Sequence, residues 1–532
     1  MNPRRWWHDT VGYEVYIRSF ADSSGDGNGD LVGLRSRLDY LAWLGIGVVW
    51  VTPFFPSPMC DHGYDVADYT DVDPRFGELA DFDALVAEAH LRGIRVLVDL
   101  VPNHTSSVHR WFAESRSSRD NPYRDYYIWR DPGPDGGPPN NWSSHFGGPA
   151  WTFDAATGQY WLHLFLPEQP DLNWRNPAVV DEFDRILEFW LDRGAGGFRI
   201  DVAHGLVKHE DLLDLPLAPP GHPDEEGPSP TTEHARFEHV YDVDQPEVLD
   251  IYRRWRALAD ARDAVLLGEV YLLDADRLAR YLVDGDGLHL SFWFGVAHAP
   301  WDADRLRTAL RDGAACATGS VSWIQASHDR SRPPTRFGGG DRGRARALAL
   351  STLLFGLPGT PFLYQGEELG LTDGELEPED VQDPVAVHVG DVTLGRDPCR
   401  TPMPWAPGQG LGFTTADAPW LPFGNREPAE SASVQQGCED SWLQRYRALI
   451  AMRAAITAAD EHIEWTTEQG PVIAYRRGHV WVGANCGTEE VAGPVPAGTW
   501  RVAFATEYAR EGEVVTEGIR LRPAEAVILL AH

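Results

Sequence analysis

The hexapeptide Gly197-Phe198-Arg199-Ile200-Asp201-Val202 combines the features of a buried strand with a pair of opposite charges. Its aromatic and β-branched side chains alternate with Arg199 and Asp201, so a strand would place both charges on one face. The segment before it begins with Asn176-Pro177, repeats apolar residues at helical spacing and ends at Gly194, which predicts a helix. Helix, glycine turn and buried strand are typical of an α/β barrel.

Two interpretations of the Arg199–Asp201 pair are open at this point. A nearby positive charge lowers the pKa of a carboxyl group by about 1–3 units, so Arg199 would keep Asp201 ionised and available as a nucleophile. A buried ion pair at a strand end, without a role in catalysis, fits this segment equally well. The residues at the other predicted strand ends are needed to choose between the two interpretations.

Length and charge restrict the class of protein. The chain has 532 residues, too many for one compact domain, so we expect a large unit with a smaller companion. Hydrophobic residues make up 43% of it, enough for a sizeable core. Its 80 acidic and 46 basic residues give a formal net charge of −34, which disfavours nucleic acid and anionic membranes as partners. A neutral ligand matches this negative net charge better.

Targeting signals and cysteines point to the cytoplasm. No apolar run approaches the length of a membrane span, and the first residues lack the apolar core of a signal peptide. The five cysteines are scattered and include no Cys-x-x-Cys pair, which argues against a disulfide framework or a thiolate metal site. We therefore expect a cytoplasmic protein without a membrane partner.

Eight strand-like segments alternate with helical segments over most of the chain. They are Gly12–Ile17, Val48–Val51, Val96–Val101, Gly197–Val202, Val265–Gly268, Leu288–Phe292, Val321–Ile324 and Pro361–Tyr364. Near-continuous apolar strands between helices indicate a parallel sheet that is covered by helices. Eight such units predict an α/β protein with an enlarged (β/α)8 TIM barrel, whose active site lies where the strands end.

Other regions depart from this alternation and define further domains. Residues 105–174 are rich in aromatic residues, Pro and Gly, and are long enough for an inserted subdomain after the third strand. The loops at 205–244 and 370–430 would rise on the catalytic side and wall the site into a pocket. Beyond residue 460, short alternating strands predict an all-β domain. The predicted domains are a barrel at 1–104 and 175–459, a subdomain at 105–174 and a C-terminal β-sandwich at 460–532.

The loop after the first strand has the pattern of half a calcium site. Oxygen-bearing residues occupy alternate positions, with Gly27 at the sharp turn. Carboxylates this close in sequence repel one another unless a cation lies between them. We predict one structural Ca²⁺ or Mg²⁺, with a merely solvated acidic turn as the alternative. The predicted ligands are the side chains of Asp22, Ser24, Asp26 and Asp30 and the carbonyl of Asn28.

Carboxylates also recur at the ends of the predicted strands, namely Asp99, Asp201, Glu269 and Asp329. Each one alone is explained by a salt bridge, but the strand ends of a barrel meet at one face, and a convergence of four is not explained in that way. Cleavage of a glycosidic bond with retention uses two carboxyl groups, one ionised and one that can carry a proton. The sequence has no P-loop, Gly-x-Ser-x-Gly or His-Glu-x-x-His motif, so the corresponding chemistries have no support.

Motifs around these carboxylates resemble those of the α-amylase family of retaining glycosidases (glycoside hydrolase family 13), in particular its oligo-1,6-glucosidase and α-glucosidase branch. They lie in order over nearly the whole chain: Asp99-Leu100-Val101-Pro102-Asn103-His104, Gln169-Pro170-Asp171-Leu172-Asn173-Trp174, Gly197-Phe198-Arg199-Ile200-Asp201, Gly268-Glu269-Val270 and His328-Asp329. The calcium-like loop also matches this branch.

The resemblance implies a role for each residue of the site. Asp201 would be the nucleophile, Glu269 the general acid/base, and Asp329 the carboxylate that holds the sugar hydroxyls and favours the distorted transition state. Six further residues would bind the sugar: His104, Arg199 and His328 in the same subsite, and Asp61, Tyr64 and Arg400 on the non-reducing terminal glucose.

For the substrate, the resemblance implies small neutral α-glucosides that lose their terminal glucose in a dead-end pocket. In this branch a Val after the nucleophile tends to accompany α-1,6 cleavage. Here Val202 is followed by Ala203-His204 instead of the branch's Ile-Asn, so we expect both α-1,4 and α-1,6 substrates. The sequence leaves the ratio of hydrolysis to glucosyl transfer, and the oligomeric state, open.

Two alternatives share the barrel. A sugar-rearranging enzyme such as trehalose synthase uses the same carboxylates, and production of trehalose from maltose would reveal it. A non-catalytic barrel like the heavy chains of amino-acid transporters is tethered to a membrane and lacks catalytic residues. The complete carboxylate set and the absence of a membrane-spanning run argue against the second alternative.

Overall fold

A closed barrel of eight parallel strands forms the centre of the computed structural model. The structure describes residues 5–219, 231, 233–283, 286–316, 320–459 and 461–531. Within these ranges all five cysteines are free, and no helix is both long and apolar enough to span a bilayer.

The barrel begins with three strands that alternate with helices. In chain order these elements are β1 (Gly12–Val15), α1 (Leu31–Ser36), α2 (Leu38–Leu44), β2 (Val48–Val51), α3 (Leu79–Leu91) and β3 (Arg95–Leu100). Asp30 caps α1, because its carboxylate accepts the backbone N–H of Gly33 at 2.6 Å. Every residue of β2 is buried, as expected of a strand with apolar neighbours on both faces.

An insertion after β3 carries a small antiparallel sheet of its own. It contains α4 (Arg110–Ser117), β4 (Trp129–Arg130), β5 (Trp151–Asp154) and β6 (Gln159–Leu162), with the strands in the order β4-β6-β5. Apolar side chains of the insertion, including Phe146 and Phe165, pack against Val202 and Val385. The insertion therefore lies against the segment that follows Asp201.

The remaining strands close the barrel. They and their helices are α5 (Pro177–Asp192), β7 (Gly197–Ile200), α6 (Val248–Asp260), β8 (Val265–Gly268), α7 (Ala275–Ala279), β9 (Leu290–Trp293), α8 (Gly295–His298), α9 (Ala303–Cys316), β10 (Val321–Trp323), α10 (Pro333–Arg336), α11 (Gly340–Gly356) and β11 (Thr360–Tyr364). Around the barrel the order is β1-β11-β10-β9-β8-β7-β3-β2. The predicted (β/α)8 barrel is confirmed, and each predicted strand end lies within about two residues of the observed one.

Local signals account for the helix that leads into β7. The side-chain oxygen of Asn176 accepts the N–H of Ala178 at 3.0 Å, and Pro177 occupies the first helical position. Phe183, Leu187 and Trp190 are buried on one face of α5. The backbone of Gly194 then turns with φ +90°, a conformation that glycine adopts without strain.

The C-terminal part is all-β after four helices. These elements are α12 (Pro384–Val389), α13 (Ala432–Gln436), α14 (Trp442–Ala451), α15 (Arg453–Thr457), β12 (Glu464–Trp465), β13 (Val472–Arg477), β14 (Val480–Asn485), β15 (Val491–Gly493), β16 (Trp500–Ala505), β17 (Val514–Val515), β18 (Ile519–Leu521) and β19 (Ala526–Ala531). They form a six-stranded antiparallel sheet, in the order β12-β13-β14-β19-β16-β17, and the pair β15-β18. The predicted domain boundary at residue 460 lies outside the described residues.

The six-stranded sheet buries both of its faces, although its second layer consists of two strands only. On one face Tyr475 and Ile528 belong to the same apolar core as Leu353 of α11 in the barrel. On the other face Trp481 packs in a separate cluster with Leu521 of β18. The predicted sandwich is therefore small, because α11 takes the place of a full second sheet on one side.

Candidate active site

The ends of adjacent strands place Asp201 and Glu269 side by side. Asp201 follows β7 directly, and its N–H donates to the carbonyl of Leu100 in β3 at 2.8 Å. Glu269 follows β8, and its N–H donates to the carbonyl of Ile200 at 2.9 Å. Parallel pairing of β3, β7 and β8 thus fixes the backbone of both residues at one edge of the barrel.

Arg199 connects three of the carboxylates. Its Nη1 donates to Asp201 at 2.6 Å and to Asp99 at 2.9 Å, and its Nη2 lies 2.8 Å from Glu269. The guanidinium is buried beneath the site and stacks on Trp50 at 4.6 Å. The predicted Arg199–Asp201 pair is therefore part of a larger group that also holds Glu269.

The surroundings shift the pKa values of these carboxyl groups upward. Burial raises the pKa of Asp201 and Glu269, and the Arg199 guanidinium opposes the rise in both. Burial also raises the pKa of Asp99 to about 6 against the same opposing charge. The expected effect of Arg199 on Asp201 is present, but burial outweighs it. A general acid requires a carboxyl group whose pKa is raised, and Glu269 meets this requirement.

Val202 has a strained backbone next to Asp201. Its φ is +43°, a left-handed conformation that is rare for a β-branched residue and costs about 1–3 kcal/mol. In this conformation its N–H donates to Oε2 of Glu269 at 3.0 Å. The side chain of Val202 lines the cleft above the carboxylates. The turn therefore positions both the acid and the wall of the site.

Asp329 lies opposite this pair, between two arginines. Its Oδ1 accepts from Arg396 at 3.0 Å and from Arg400 at 2.9 Å, and its Oδ2 lies 3.3 Å from Nε2 of His328. Burial alone would raise the pKa of Asp329, but His328, Arg396 and Arg400 more than offset it and hold the pKa well below its usual range. Asp329 is therefore ionised, as the implied role on the sugar requires.

A ring pair forms the floor of the site. Tyr64 stacks on His328 with ring centroids 5.5 Å apart and an interplanar angle of 9°. The hydroxyl of Tyr64 donates to Asp99 at 3.0 Å and lies 3.0 Å from Nε2 of His328. Nδ1 of His328 contacts Glu14 at 2.5 Å, which fixes the orientation of the imidazole. Burial lowers the pKa of His328 well below its usual value.

Asp61 and His104 are connected through Gln169. The amide nitrogen of Gln169 donates to Asp61 at 3.1 Å and lies 3.0 Å from Nε2 of His104. Burial lowers the pKa of His104 to about 4, so the imidazole is neutral at physiological pH. A neutral imidazole and an amide are suited to the hydroxyl groups of a sugar.

Sequence reasoning missed Arg396. This residue lines the cleft and contacts three carboxylates: Asp61 at 3.2 Å, Asp329 at 3.0 Å and Asp383 at 2.8 Å. Arg400, which was predicted to grip the terminal glucose, lies behind Asp329 and also donates to the carbonyl of His328 at 2.8 Å. The two arginines are four residues apart, and no local pattern in the sequence distinguishes Arg396 from Arg400.

These residues enclose a cleft of about 550 Å³ of non-atom space, including open solvent at its mouth. Seven of the predicted site residues line it, whereas Arg199 and Arg400 support it from behind. The seven are Asp61, Tyr64, His104, Asp201, Glu269, His328 and Asp329. Phe146 and Phe165 of the insertion cover one side.

The predicted metal loop has partly suitable chemistry. Asp22 accepts from the hydroxyl of Ser24 at 3.1 Å and from the N–H of Gly25 and Gly27, so the loop curls around its carboxylate. Asp26 is exposed. Asp30 caps α1 and also accepts the hydroxyl of Ser23, and its role as a ligand stays a prediction. Within the described ranges no group of three His, Cys, Asp or Glu side chains has the arrangement of a metal site. The cation stays a prediction.

Comparisons with known proteins identify the family that the chain resembles. The model of the α-amylase catalytic domain matches residues 14–461. The probable alpha-glucosidase of Rhizobium meliloti (strain 1021) is 42% identical and covers 90% of this chain and 88% of its own length. The oligo-1,6-glucosidase of Heyndrickxia coagulans is 36% identical, with 98% of this chain and 99% of its own length covered.

A solved structure extends the likeness to the whole fold. The alpha-glucosyl transfer enzyme XgtA is 39% identical to this chain, with a TM-score of 0.92 and all of both chains covered. The sequence motifs, the strand-end carboxylates and the family model thus refer to the same barrel. A match over most of the sequence, on a barrel whose strand ends carry the motifs of the family, shows that the chain belongs to the α-amylase family.

Proposed function

We propose that this chain is a retaining, exo-acting α-glucosidase that hydrolyses terminal α-linked glucose from short malto- and isomalto-oligosaccharides. The observation that carries the proposal is the contact of one buried guanidinium, Arg199, with both Asp201 and Glu269. Two relatives with high coverage are named alpha-glucosidase and oligo-1,6-glucosidase, which supports the same substrate class. The neutral, hydroxyl-binding groups of the cleft match a neutral α-glucoside.

The reaction takes two steps. In the first, a carboxylate oxygen of Asp201 attacks the anomeric carbon while the carboxyl group of Glu269 gives its proton to the leaving oxygen. The glycosidic bond breaks and a covalent β-glucosyl ester forms on Asp201. In the second step Glu269, now ionised, takes a proton from water, and the water oxygen displaces Asp201. Two inversions at one carbon give α-glucose.

Asp329 and Arg199 serve these steps by position and charge. Asp329 is held ionised between Arg396 and Arg400. It would accept hydrogen bonds from hydroxyl groups of the glucose ring in the strained transition state. Arg199 keeps the nucleophile and the acid in register, because it binds both carboxylates at once. The burial that raises the pKa of Glu269 lets it keep its proton until the leaving oxygen needs it.

Exo action follows from the far end of the cleft. We place the closed end at the ion pair between Arg396 and Asp61, which both line the cleft and lie 3.2 Å apart, and Arg396 also contacts Asp383. Both partners of the pair are buried, so a sugar beyond the terminal glucose would have to break it. A substrate therefore enters with its non-reducing end first.

The experiment is a time course on maltotetraose with NMR detection of the fresh anomer. We expect α-glucose and maltotriose as the only early products. Fresh β-glucose would contradict the retaining mechanism, and early release of maltose would contradict exo action. Soluble starch serves as the control for internal cleavage, which should be slow.

A second candidate is preferential glucosyl transfer to sugars, and the likeness to an alpha-glucosyl transfer enzyme favours it. Transfer uses the same glucosyl ester, which a sugar hydroxyl attacks in place of water. A product profile on concentrated maltose separates the two activities: free glucose in excess over trisaccharide supports hydrolysis, and trisaccharide in excess supports transfer. The cytoplasmic location stays a prediction.

A further inference from the structure

A second chamber adjoins the cleft on the side of the leaving group. The two spaces share His145, His204 and Tyr271 as lining residues, and the chamber holds about 310 Å³ of non-atom space. Among its wall residues, His204 and Tyr271 belong to the segments that follow Asp201 and Glu269. His204, for example, accepts the N–H of Tyr271 at 3.3 Å through Nδ1. Neither Asp61 nor any other glucose-gripping group lines it, so it faces the part of the substrate that Glu269 protonates.

A stack of three imidazole rings forms one wall of this chamber. His145 lies between Phe165, at a centroid distance of 4.8 Å, and His234, at 4.0 Å. His234 in turn stacks on His239 at 3.7 Å. Nδ1 of His239 contacts Asp242 at 2.6 Å, and its Nε2 contacts the carbonyl of His234 at 3.1 Å. The stack therefore holds the His145 ring in a fixed plane.

One ring nitrogen of His145, the buried Nδ1, has no hydrogen-bond partner among the described residues. The side chain is 7% exposed and borders both spaces. Burial lowers the pKa of His145 well below its usual value, so the ring is neutral and offers one donor and one acceptor. A buried polar atom without a partner costs free energy that a ligand hydroxyl could recover.

The charged groups of the chamber are already paired. Nε of Arg277 donates to Asp244 at 2.9 Å, and His239 contacts Asp242. Lys208, on the same loop, lies 2.6 Å from Asp171. A leaving group that carries a phosphate or carboxylate would have to break one of these pairs, whereas a neutral hydroxyl needs only the nitrogens of His145.

From this arrangement we infer that His145 is a specificity-determining residue for the leaving group, which it binds through a hydroxyl of a neutral sugar. The inference rests on the proposed α-glucosidase function. It assigns to His145 the discrimination between a sugar leaving group and a smaller leaving group. No proton or electron is transferred at His145, because its contribution is a hydrogen bond.

The test compares two substrates that share glucose but differ in the leaving group. Maltose leaves a sugar, whereas α-glucosyl fluoride leaves an ion that cannot contact His145. The variant His145→Phe keeps a ring against Phe165 and removes both nitrogens. We expect kcat/KM on maltose to fall by about 10- to 100-fold, as for an unsatisfied hydroxyl in a buried site, while kcat/KM on the fluoride stays within about twofold.

Controls keep the outcomes separate. His145→Gln restores hydrogen-bonding capacity and should recover part of the activity on maltose, and it replaces the Phe variant if that variant does not fold. His90→Phe makes the same chemical change on the exposed face of α3 and should change neither substrate. Equal losses on both substrates, or maltose activity at the wild-type level in His145→Phe, would overturn the inference. Wild-type protein that turns over neither substrate would refute the proposed function instead.

Discussion

Replacement of Arg396 by Ala is expected to reduce both stability and activity. The guanidinium contacts Asp61, Asp329 and Asp383, whose side chains are 7%, 12% and 0% exposed. Removal of one partner from a buried ion pair costs about 3–5 kcal/mol, because the remaining charge has neither water nor a counter-ion. We expect a loss of about this size in the free energy of unfolding. Activity should fall as well, since loss of a charged hydrogen bond to Asp329 costs about 1.5–3 kcal/mol, or about 10- to 150-fold in kcat/KM.

The pH dependence of this loss gives a sharper test. Although burial raises the pKa of Asp383, Arg396 and its neighbours hold it well below the usual 3.8 in the folded protein. A depressed pKa contributes stability above the unfolded pKa, and this contribution is lost as the pH falls through the folded pKa. The stability difference between wild type and Arg396→Ala should therefore be largest near neutral pH and shrink below about pH 4.

The assay is urea unfolding followed by tryptophan fluorescence between pH 3 and pH 7, together with kcat/KM on maltose. Arg396→Lys is the matched control, because it keeps the charge and loses the fork that binds two carboxylates at once. It should recover part of the stability and less of the activity. The reasoning is refuted if Arg396→Ala unfolds at the wild-type urea concentration at pH 7, or if the difference does not change with pH.

Three further predictions concern the nucleophile, the acid and the loop. Asp201→Asn should stop turnover of maltose and of α-glucosyl fluoride alike, and near wild-type rates would remove Asp201 from its role. Glu269→Gln should slow maltose hydrolysis by about 10²- to 10⁴-fold but spare glucosyl-ester formation from the fluoride. Because the pKa of Glu269 is raised, the alkaline limb of wild-type kcat/KM should lie above pH 4.5 and vanish in this variant. Excess chelator should lower the melting temperature through the loop at residues 22–30, and an unchanged melting curve with no metal found would leave a solvated turn.

The sequence predicted the barrel and its carboxylates because both depend on local patterns. The residues of a segment such as Gly197–Ile200 are enough to predict a strand, and the end of the strand fixes where Asp201 lies. The geometry of a closed barrel then brings Asp201 and Glu269 together without any knowledge of side-chain contacts. This is why residues from distant parts of the chain could be assigned to one site.

Residues on long loops escaped prediction for the opposite reason. Arg396 and Arg400 look alike in sequence, and only the fold shows that Arg396 reaches Asp61 across the cleft. His145 and His234 come from different loops and meet as a stack that no periodicity encodes. No local pattern in the sequence indicated that Asp201 is buried. The lowering of its pKa by Arg199 was therefore predicted without the larger rise that burial causes.

We expect linkage preference to depend on Val202, whose position gives it two effects. Its side chain lines the cleft, and its backbone N–H holds Glu269 at 3.0 Å in a left-handed conformation. Val202→Thr keeps the β-branch and its strain and changes only one methyl group to a hydroxyl. A change of this size in a pocket is worth about 1–3 kcal/mol, so we expect the ratio of kcat/KM on maltose to that on isomaltose to rise by up to about 200-fold.

Wild-type protein should turn over both disaccharides, because Ala203 and His204 replace the Ile and Asn that follow the Val in the α-1,6 pattern of the branch. Val202→Gly is the control for the backbone: glycine adopts φ +43° without strain, so the contact with Glu269 can persist, while the variant loses the packing of the Val202 side chain on the insertion and the wall of the cleft. If wild type turns over isomaltose well and maltose not at all, Val202 alone sets the linkage. If Val202→Thr leaves the ratio unchanged, the preference lies in the second chamber, where we propose that His145 binds the leaving sugar, and Val202 serves mainly to hold Glu269.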